Sequence, residues 1–345
     1  MLHFISSLFS SADQAAGKPD KDLIAKATDR VVDATDSRLR GFGNYRKRLC
    51  PAIEHAVTHI QSIVGILPEA MELSSNTYKH DPRLRAFFVS ASHMQEVIGG
   101  FTAVKDYVRE LHTPLPDEIF GTLSMDYSEK NVLGMELGGD IVRRDVPQVQ
   151  VNFSDHRYLG PSDSEEQSRH ELEKRGFDFL IEKVLERIVT VRSTRSELEQ
   201  QRRLLQRKFD AMRAGNWGLE PMLAEAGQVN SNPDYASLEK EINEVDTELL
   251  RLGSRPADLE NNIEHINDIL GRASELLSIH EIQMYLDPMM VKKSASSSDE
   301  RISHLQLTEA SAKSGERRII LLGRFPTQEL PKQPDFLSEA RRYLG

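Results

Sequence analysis

The sequence predicts a mainly helical α+β protein in three parts: an N-terminal helical bundle, a mixed or antiparallel β platform, and a long antiparallel coiled-coil hairpin inserted between the strands of that platform. Three observations predict this class. Apolar residues recur at helical spacing over 20–113. They alternate with polar residues over 120–153 and again after 279. Between these two β segments they step by four and three, as in a coiled coil.

Composition narrows the class of function. The net charge is −10, which argues against a nucleic-acid binder because phosphate binding needs a basic face. The single cysteine, Cys50, excludes an internal disulfide framework and fits a reducing compartment, so we expect a cytoplasmic protein. There is no apolar run of about 18 residues, so the sequence predicts no transmembrane helix.

Residues 1–19 are interpreted as a flexible or anchoring N-terminus and 20–115 as the helical bundle. The bundle helices each carry one apolar stripe, as helices that bury one face do. The apolar residues within 2–9 fit one side of a short helix, so a membrane-surface anchor stays open beside a helix packed on its own domain.

The β platform is predicted over 119–160 plus 279–325. Its first half includes the run NVLGMELGGD, whose paired glycines indicate a turn between strands. In its second half, Ile319–Leu322 is apolar on both faces, which predicts a central strand.

The coiled-coil hairpin is predicted over 165–278, with its tip at 214–233. Its two arms, 166–213 and 234–278, are of nearly equal length, and the first spans ~70 Å at ~1.5 Å per residue. Residues 192–213 hold seven Lys/Arg and three Asp/Glu, whereas 238–264 hold three Lys/Arg and eight Asp/Glu. Opposite charges favour pairing of the arms within one chain, and pairing with another copy is the alternative.

The tip contains the single tryptophan of the chain. Two roles are open for this residue, and both can hold at once. It closes the end of the hairpin, or it binds a partner, since Trp is enriched at interface hot spots. The segment that follows the platform, 326–345, is predicted to be a C-terminal tail helix. The candidate partner-binding residues at the tip are Trp217, Leu219, Met222 and Leu223.

Two candidate sites of chemistry stand outside the hairpin. His55 and His59 are four residues apart on a helix and could ligate one metal ion, although Glu54 precedes the first histidine rather than following it as in zinc proteases. A second polar cluster, Asp155, His156 and Arg157, ends a strand. Adjacent residues of a strand point to opposite sides, so this cluster is not itself a catalytic triad.

The leading interpretation is therefore a non-enzymatic scaffold or assembly protein without a cofactor, which binds a protein partner, or a second copy, through the hairpin and its tip. A metal-dependent enzyme using the bundle and a peripheral membrane protein anchored by residues 2–9 are the alternatives. A helical hairpin inserted between two β segments also resembles, in topology alone, the periplasmic adaptor proteins of efflux systems. The resemblance carries no motif, and the chain lacks the membrane anchor or signal expected of that family.

Overall fold

The structure is a computed structural model that describes residues 21–111, 115–138, 141–213, 233–252, 258–294 and 301–331. It confirms a mixed α+β protein with an antiparallel sheet and one long helix. The anchoring segment within 1–19, the tip residues Trp217, Leu219, Met222 and Leu223, and most of the tail helix lie outside the described residues.

The elements alternate between helical and extended stretches. The helices are α1 (Lys21–Thr35), α2 (Tyr45–Gly65), α3 (Ser75–His80), α4 (Pro82–Phe87), α5 (Ala91–Gly100), α6 (Thr102–Glu110), α7 (Glu165–Arg213), α8 (Pro233–Arg251), α9 (Asp258–Gly271) and α10 (Ala273–Leu276). The strands are β1 (Met71–Glu72), β2 (Glu118–Gly138), β3 (Ile141–Ser162), β4 (Leu277–Leu286), β5 (Ser303–Ala312) and β6 (Arg317–Pro326). Two 3-10 helices cover Ser37–Gly41 and Thr327–Glu329.

The chain forms two compact units, neither of which is a continuous segment. Of the described residues, the first unit comprises those within Val57–Phe177 and Ala273–Gly345. The second comprises the described residues within 21–56 and Asp178–Arg272.

The sheet of the first unit has the strand order β3-β2-β6-β5-β4, all antiparallel, with the short β1 parallel to β6. Strand β6 is central, and its side chains Ile319–Leu322 are buried on both faces of the sheet. This is what four consecutive apolar residues, with no polar residue between them, predict. The apolar–polar alternation that begins at Phe120 and the run NVLGMELGGD form one long strand, β2, rather than two strands. The polar residues between them stay extended and pair with β3.

The core on one face of this sheet is completed by α3 to α6. Three of them, α3, α4 and α5, start at side-chain caps, since Ser74, Asp81 and Ser90 each accept a hydrogen bond from a backbone N–H of the first turn. The buried residues of these helices and of the position directly after α4 include Leu84, Phe87, Phe88, Met94, Ile98 and Val104.

Tyr158 of β3 ties the centre of the sheet together. Its hydroxyl donates to the carbonyl oxygens of Ile119 at 2.8 Å and Gly323 at 3.0 Å. Its ring lies where a Cβ on Gly121 would sit, so glycine is required there for close packing. Burial raises the pKa of Tyr158, and the hydroxyl therefore stays a neutral donor.

The second unit buries apolar residues of α1, the first part of α2, α7 and α9, including Val31, Leu49, Ile53, Val184, Ile188, Ile263 and Ile266. Asp36 is buried at its centre. The carboxylate accepts hydrogen bonds from Arg38, from Arg192 of α7 at 3.1 Å and from Asn262 of α9 at 3.0 Å. These bonds join three segments that are distant in sequence.

Candidate functional site

The two histidines of the metal hypothesis do not gather further ligands. His59 is half-buried, and its Nε2 lies 2.8 Å from the carbonyl oxygen of Leu277, whereas His55 is exposed. Within the described ranges, no group of three or more His, Cys, Asp or Glu side chains is placed to hold a metal ion.

The cluster Asp155, His156 and Arg157 lies on a β-bulge. The register between β2 and β3 shifts there, so two residues of β3 stand opposite one of β2. Asp155 takes the left-handed backbone conformation at φ 48°, which aspartate tolerates better than most residues. The bulge therefore has a local cause in the residue type.

Around the bulge, Asp155 is held by two arginines. Its Oδ2 accepts from Arg157 at 2.7 Å and from Arg318 of β6 at 3.0 Å, and Arg318 also donates to the Asp155 carbonyl oxygen. Arg318 pairs in addition with Asp126 of β2 at 2.6 Å. The hydrogen bonds from Arg318 and then Arg157 lower the pKa of Asp155. Two cations and two carboxylates balance one another, so this network pins the bulge rather than presenting a net charge.

His156 is separated from this network by the bulge. Its ring stacks on Phe88, with centroids 4.9 Å apart, and its Nε2 is buried with no hydrogen-bond partner among the described residues. Burial lowers the pKa of His156, opposed by a hydrogen bond with the Phe87 backbone. The structure thus brings Asp155 and Arg157 together and gives His156 different neighbours.

A further polar group, which the sequence does not single out, lies at one end of the inner sheet face. Strands β4 and β5 set Ser278 opposite Ser311 and His280 opposite Glu309, so the four side chains form a square on one face. The two serine hydroxyls are 2.8 Å apart, and His280 Nε2 is 3.3 Å from Glu309 Oε1.

Glu309 is buried and His280 is exposed, so the carboxylate orients the imidazole from inside. Partial burial, and then a hydrogen bond to Glu309, raise the pKa of Tyr127. The serine hydroxyls bond to each other, and the arrangement therefore differs from a nucleophile activated by a base.

Alternation alone could have placed these residues on one face, since Ser278 and His280 share the parity of the buried Met284. It could not have paired them with Glu309 and Ser311, because the register of β4 with β5 depends on the loop between them.

The second unit presents a pair of helices, formed by residues 192–213 of α7 and by α8 and here called the helical arm. Arg202 of α7 forms an ion pair with Asp246 of α8 at 2.5 Å. Leu204 and Leu250 expose 57% and 80% of their surface. A groove beside the ion pair is lined by Arg195, Glu199, Arg202, Arg203, Asp246, Leu249 and Leu250.

Comparison of the chain with protein-family models, curated proteins and solved structures finds no match. None of the helices within the described ranges is both long and apolar enough to span a membrane.

Proposed function

We propose that this chain is a non-enzymatic scaffold or assembly protein of the cytoplasm that binds a protein partner through the helical arm and its tip. The observation that carries the proposal is the exposure of large apolar side chains on the arm. Leu204 and Leu250 would be removed from water by a bound partner, and exposed apolar residues bounded by charges are typical of protein interfaces.

The arm in this proposal is an antiparallel coiled-coil hairpin of α7 and α8, inserted between the strands of the sheet. Two contacts support it. Asp36 joins Arg192 of α7 to Asn262 of α9, and ten residues further along α7 Arg202 pairs with Asp246. Contacts that advance along α7 while they go back along the chain are those of antiparallel helices.

The tip residues Trp217, Leu219, Met222 and Leu223 complete the proposed partner site. Trp is the side chain most enriched among residues whose loss costs binding energy. The cytoplasmic location rests on the single cysteine and remains part of the proposal.

Affinity purification with quantitative mass spectrometry tests this function. The baits are the natural chain, the variant Trp217→Ala/Leu219→Ala, and Val89→Asp as a control that changes an apolar side chain 88% exposed in the first unit. We expect at least one protein that is captured by the natural chain and the control and reduced about ten-fold or more by the tip variant, as hot-spot losses are.

Circular dichroism must show the same helix content for all three baits. If the natural chain and the tip variant capture the same proteins in equal amounts, the tip does not bind a partner and the proposed function is wrong.

A further inference from the structure

We infer that the helical arm binds a second copy of this chain, with α7 of one copy against α8 of the other. The inference rests on the proposed function, because it names one occupant of the proposed arm. The described side chains of the two helices carry it in three steps.

The first step is incomplete burial of the stripe between the helices. In α8, Leu238 and Val245 are buried. By contrast, Leu198 and Leu205 of α7 and Ile242 of α8 are only half-buried, although they occupy the same four-and-three repeat. Two helices alone leave the flanks of such a stripe open to water, and further helices close it. The arm therefore has apolar surface to gain from another pair of helices.

The second step is charge. Residues 192–213 carry seven Lys/Arg and three Asp/Glu, a net of +4, and α8 carries two Lys/Arg and six Asp/Glu, a net of −4. A two-fold axis that sets α7 of one copy against α8 of the other places each basic helix beside an acidic one, twice. One arm thus holds both halves of a complementary pair.

Part of this charge has no ion-pair partner among the described residues. Arg203 and Arg207 are exposed on α7, and Glu239 and Glu241 are exposed on α8. Of the ion pairs between described residues, none includes these four side chains, whereas Arg202 and Asp246 pair with each other. Exposed charges of this kind are those that steer and orient association.

The third step is the groove next to the ion pair. Leu250 lies in it and exposes 80% of its surface. Three arginines and two carboxylates border it, and Arg195 and Arg202 pair with these carboxylates, so the exposed Arg203 supplies the excess positive charge. An apolar side chain beside an arginine fits an amphipathic helix with acidic flanks. Helix α8 of a second copy is such a helix.

Analytical ultracentrifugation of the full chain over a range of concentrations gives the first test. We expect a monomer–dimer equilibrium that weakens when NaCl is raised from about 0.05 to about 0.5 M, because salt shortens the range of surface electrostatics. A monomer at every concentration would overturn the inference.

Charge reversal gives the decisive test. Arg203→Glu/Arg207→Glu lowers the net charge of residues 192–213 from +4 to 0, and Glu239→Lys/Glu241→Lys raises that of α8 from −4 to 0. In each variant these four positions then carry charges of one sign. Each variant alone should dimerise about ten-fold or more weakly, since like charges face one another across the interface. An equimolar mixture of the two should form a heterodimer, because the reversed positions of α7 then meet the reversed positions of α8 and the natural ones meet natural ones. Opposite charges face one another at both contacts.

Circular dichroism of each variant checks that the helices remain formed. A mixture that stays monomeric while the natural chain dimerises would show that the contact lies elsewhere, and the inference would be wrong. Leu250→Asp should also weaken the dimer, whereas Val89→Asp, on an equally exposed apolar residue, should leave it unchanged.

The two proposals fail separately. A monomeric chain that still captures a protein dependent on the tip overturns the self-association and supports the proposed function. A dimer that follows the charge rules, with no captured protein dependent on Trp217, supports the self-association and overturns the heterologous partner.

Discussion

The buried Nε2 of His156 has no hydrogen-bond partner among the described residues, and this lowers the stability of the first unit. His156 is held in this position by the bulge at Asp155 and by the ring of Phe88. A buried polar atom that lacks a hydrogen bond typically costs about 1–3 kcal/mol. The groups that act on the ring from packed elements are His93 of α5, Asp155 of its own strand, Arg318 of β6 and the Phe87 backbone.

This position makes stability depend on pH. The folded-state pKa of His156 lies below its ordinary value of 6.5, first because of burial. The unfolded chain therefore takes up the proton before the folded chain does, and His156 lowers stability as pH falls through and below that ordinary value. Between about pH 7.5 and about pH 5.5, the natural chain should lose more stability in urea titrations than His156→Gln. The same comparison with His304→Gln, an exposed imidazole, is the control, and equal losses in the natural chain and His156→Gln would contradict the prediction.

Asp36 is the opposite case, because its buried carboxylate accepts hydrogen bonds from Arg38, Arg192 and Asn262. Hydrogen bonds from Arg38 lower the pKa of its carboxyl, so its contribution is present above the ordinary value of 3.8 and is lost as pH falls through the folded-state pKa. Asp36→Ala leaves Asn262, which is buried, without its acceptor, and should lower the free energy of unfolding by about 1–3 kcal/mol. Asp33→Ala, which breaks a surface pair with Arg40, should cost less, because an ion pair exposed to water contributes little to stability. Chemical denaturation of both variants at neutral pH measures the difference. Equal losses of unfolding free energy would contradict the prediction that the hydrogen bonds of Asp36 stabilise the second unit.

At the scale of elements, periodicity predicts most of the helices and strands. The stepping of apolar residues through Ile181, Val184 and Ile188 predicts the long helix, because burial of one side requires that spacing. The continuous apolar run of β6 predicts a central strand for a similar reason. These are local patterns, and local patterns depend on the residue types alone.

Strand neighbours and polar contacts could not be predicted in this way. His280 and Glu309 meet only because β4 and β5 pair in one register, and Arg318 reaches Asp155 only because β6 lies beside β2. A bulge shifts the register by one residue, and no repeat in the sequence reports it. The sequence comes closer to predicting the ion pair of Arg202 with Asp246, because the basic segment 192–213 and the acidic segment 238–264 already indicate that the two helices pair.

The proposed hairpin makes a prediction about its own register. In a Cys50→Ser background, Leu205→Cys and Ile242→Cys should form a disulfide within one chain, because the Arg202–Asp246 contact aligns these positions. Leu198→Cys with Ile242→Cys is the control, displaced by seven residues or about 10 Å along the helix. Non-reducing electrophoresis separates the cross-linked monomer from cross-linked dimers. Efficient cross-linking in the control instead of the test pair would refute the antiparallel register.

At the scale of the molecule, the core of the sheet draws all of its buried residues from the first unit. Replacing residues 196–248 by a short Gly-Ser linker should therefore leave the backbone amides of β2, β5 and β6 as protected from hydrogen exchange as in the natural chain. Phe88→Ala, a large-to-small change in that core, should cost about 3–5 kcal/mol and lower the same protection. Loss of protection on excision would mean that the arm supports the sheet.

The position of β6 at the centre of the sheet governs the order of events during synthesis. Strand β2 pairs with β6 from Glu118↔Pro326 to Asp126↔Arg318, so 192 residues separate Asp126 from its partner. A ribosome adding ~5–20 residues per second needs roughly 10–40 s to bridge that gap. Throughout this interval the growing polypeptide exposes one long edge of β2, and an open strand edge invites aggregation. Pairing with β3 covers only the opposite edge of β2. Efficient production of this protein in cells therefore depends on a chaperone that covers the remaining edge until β6 is synthesised.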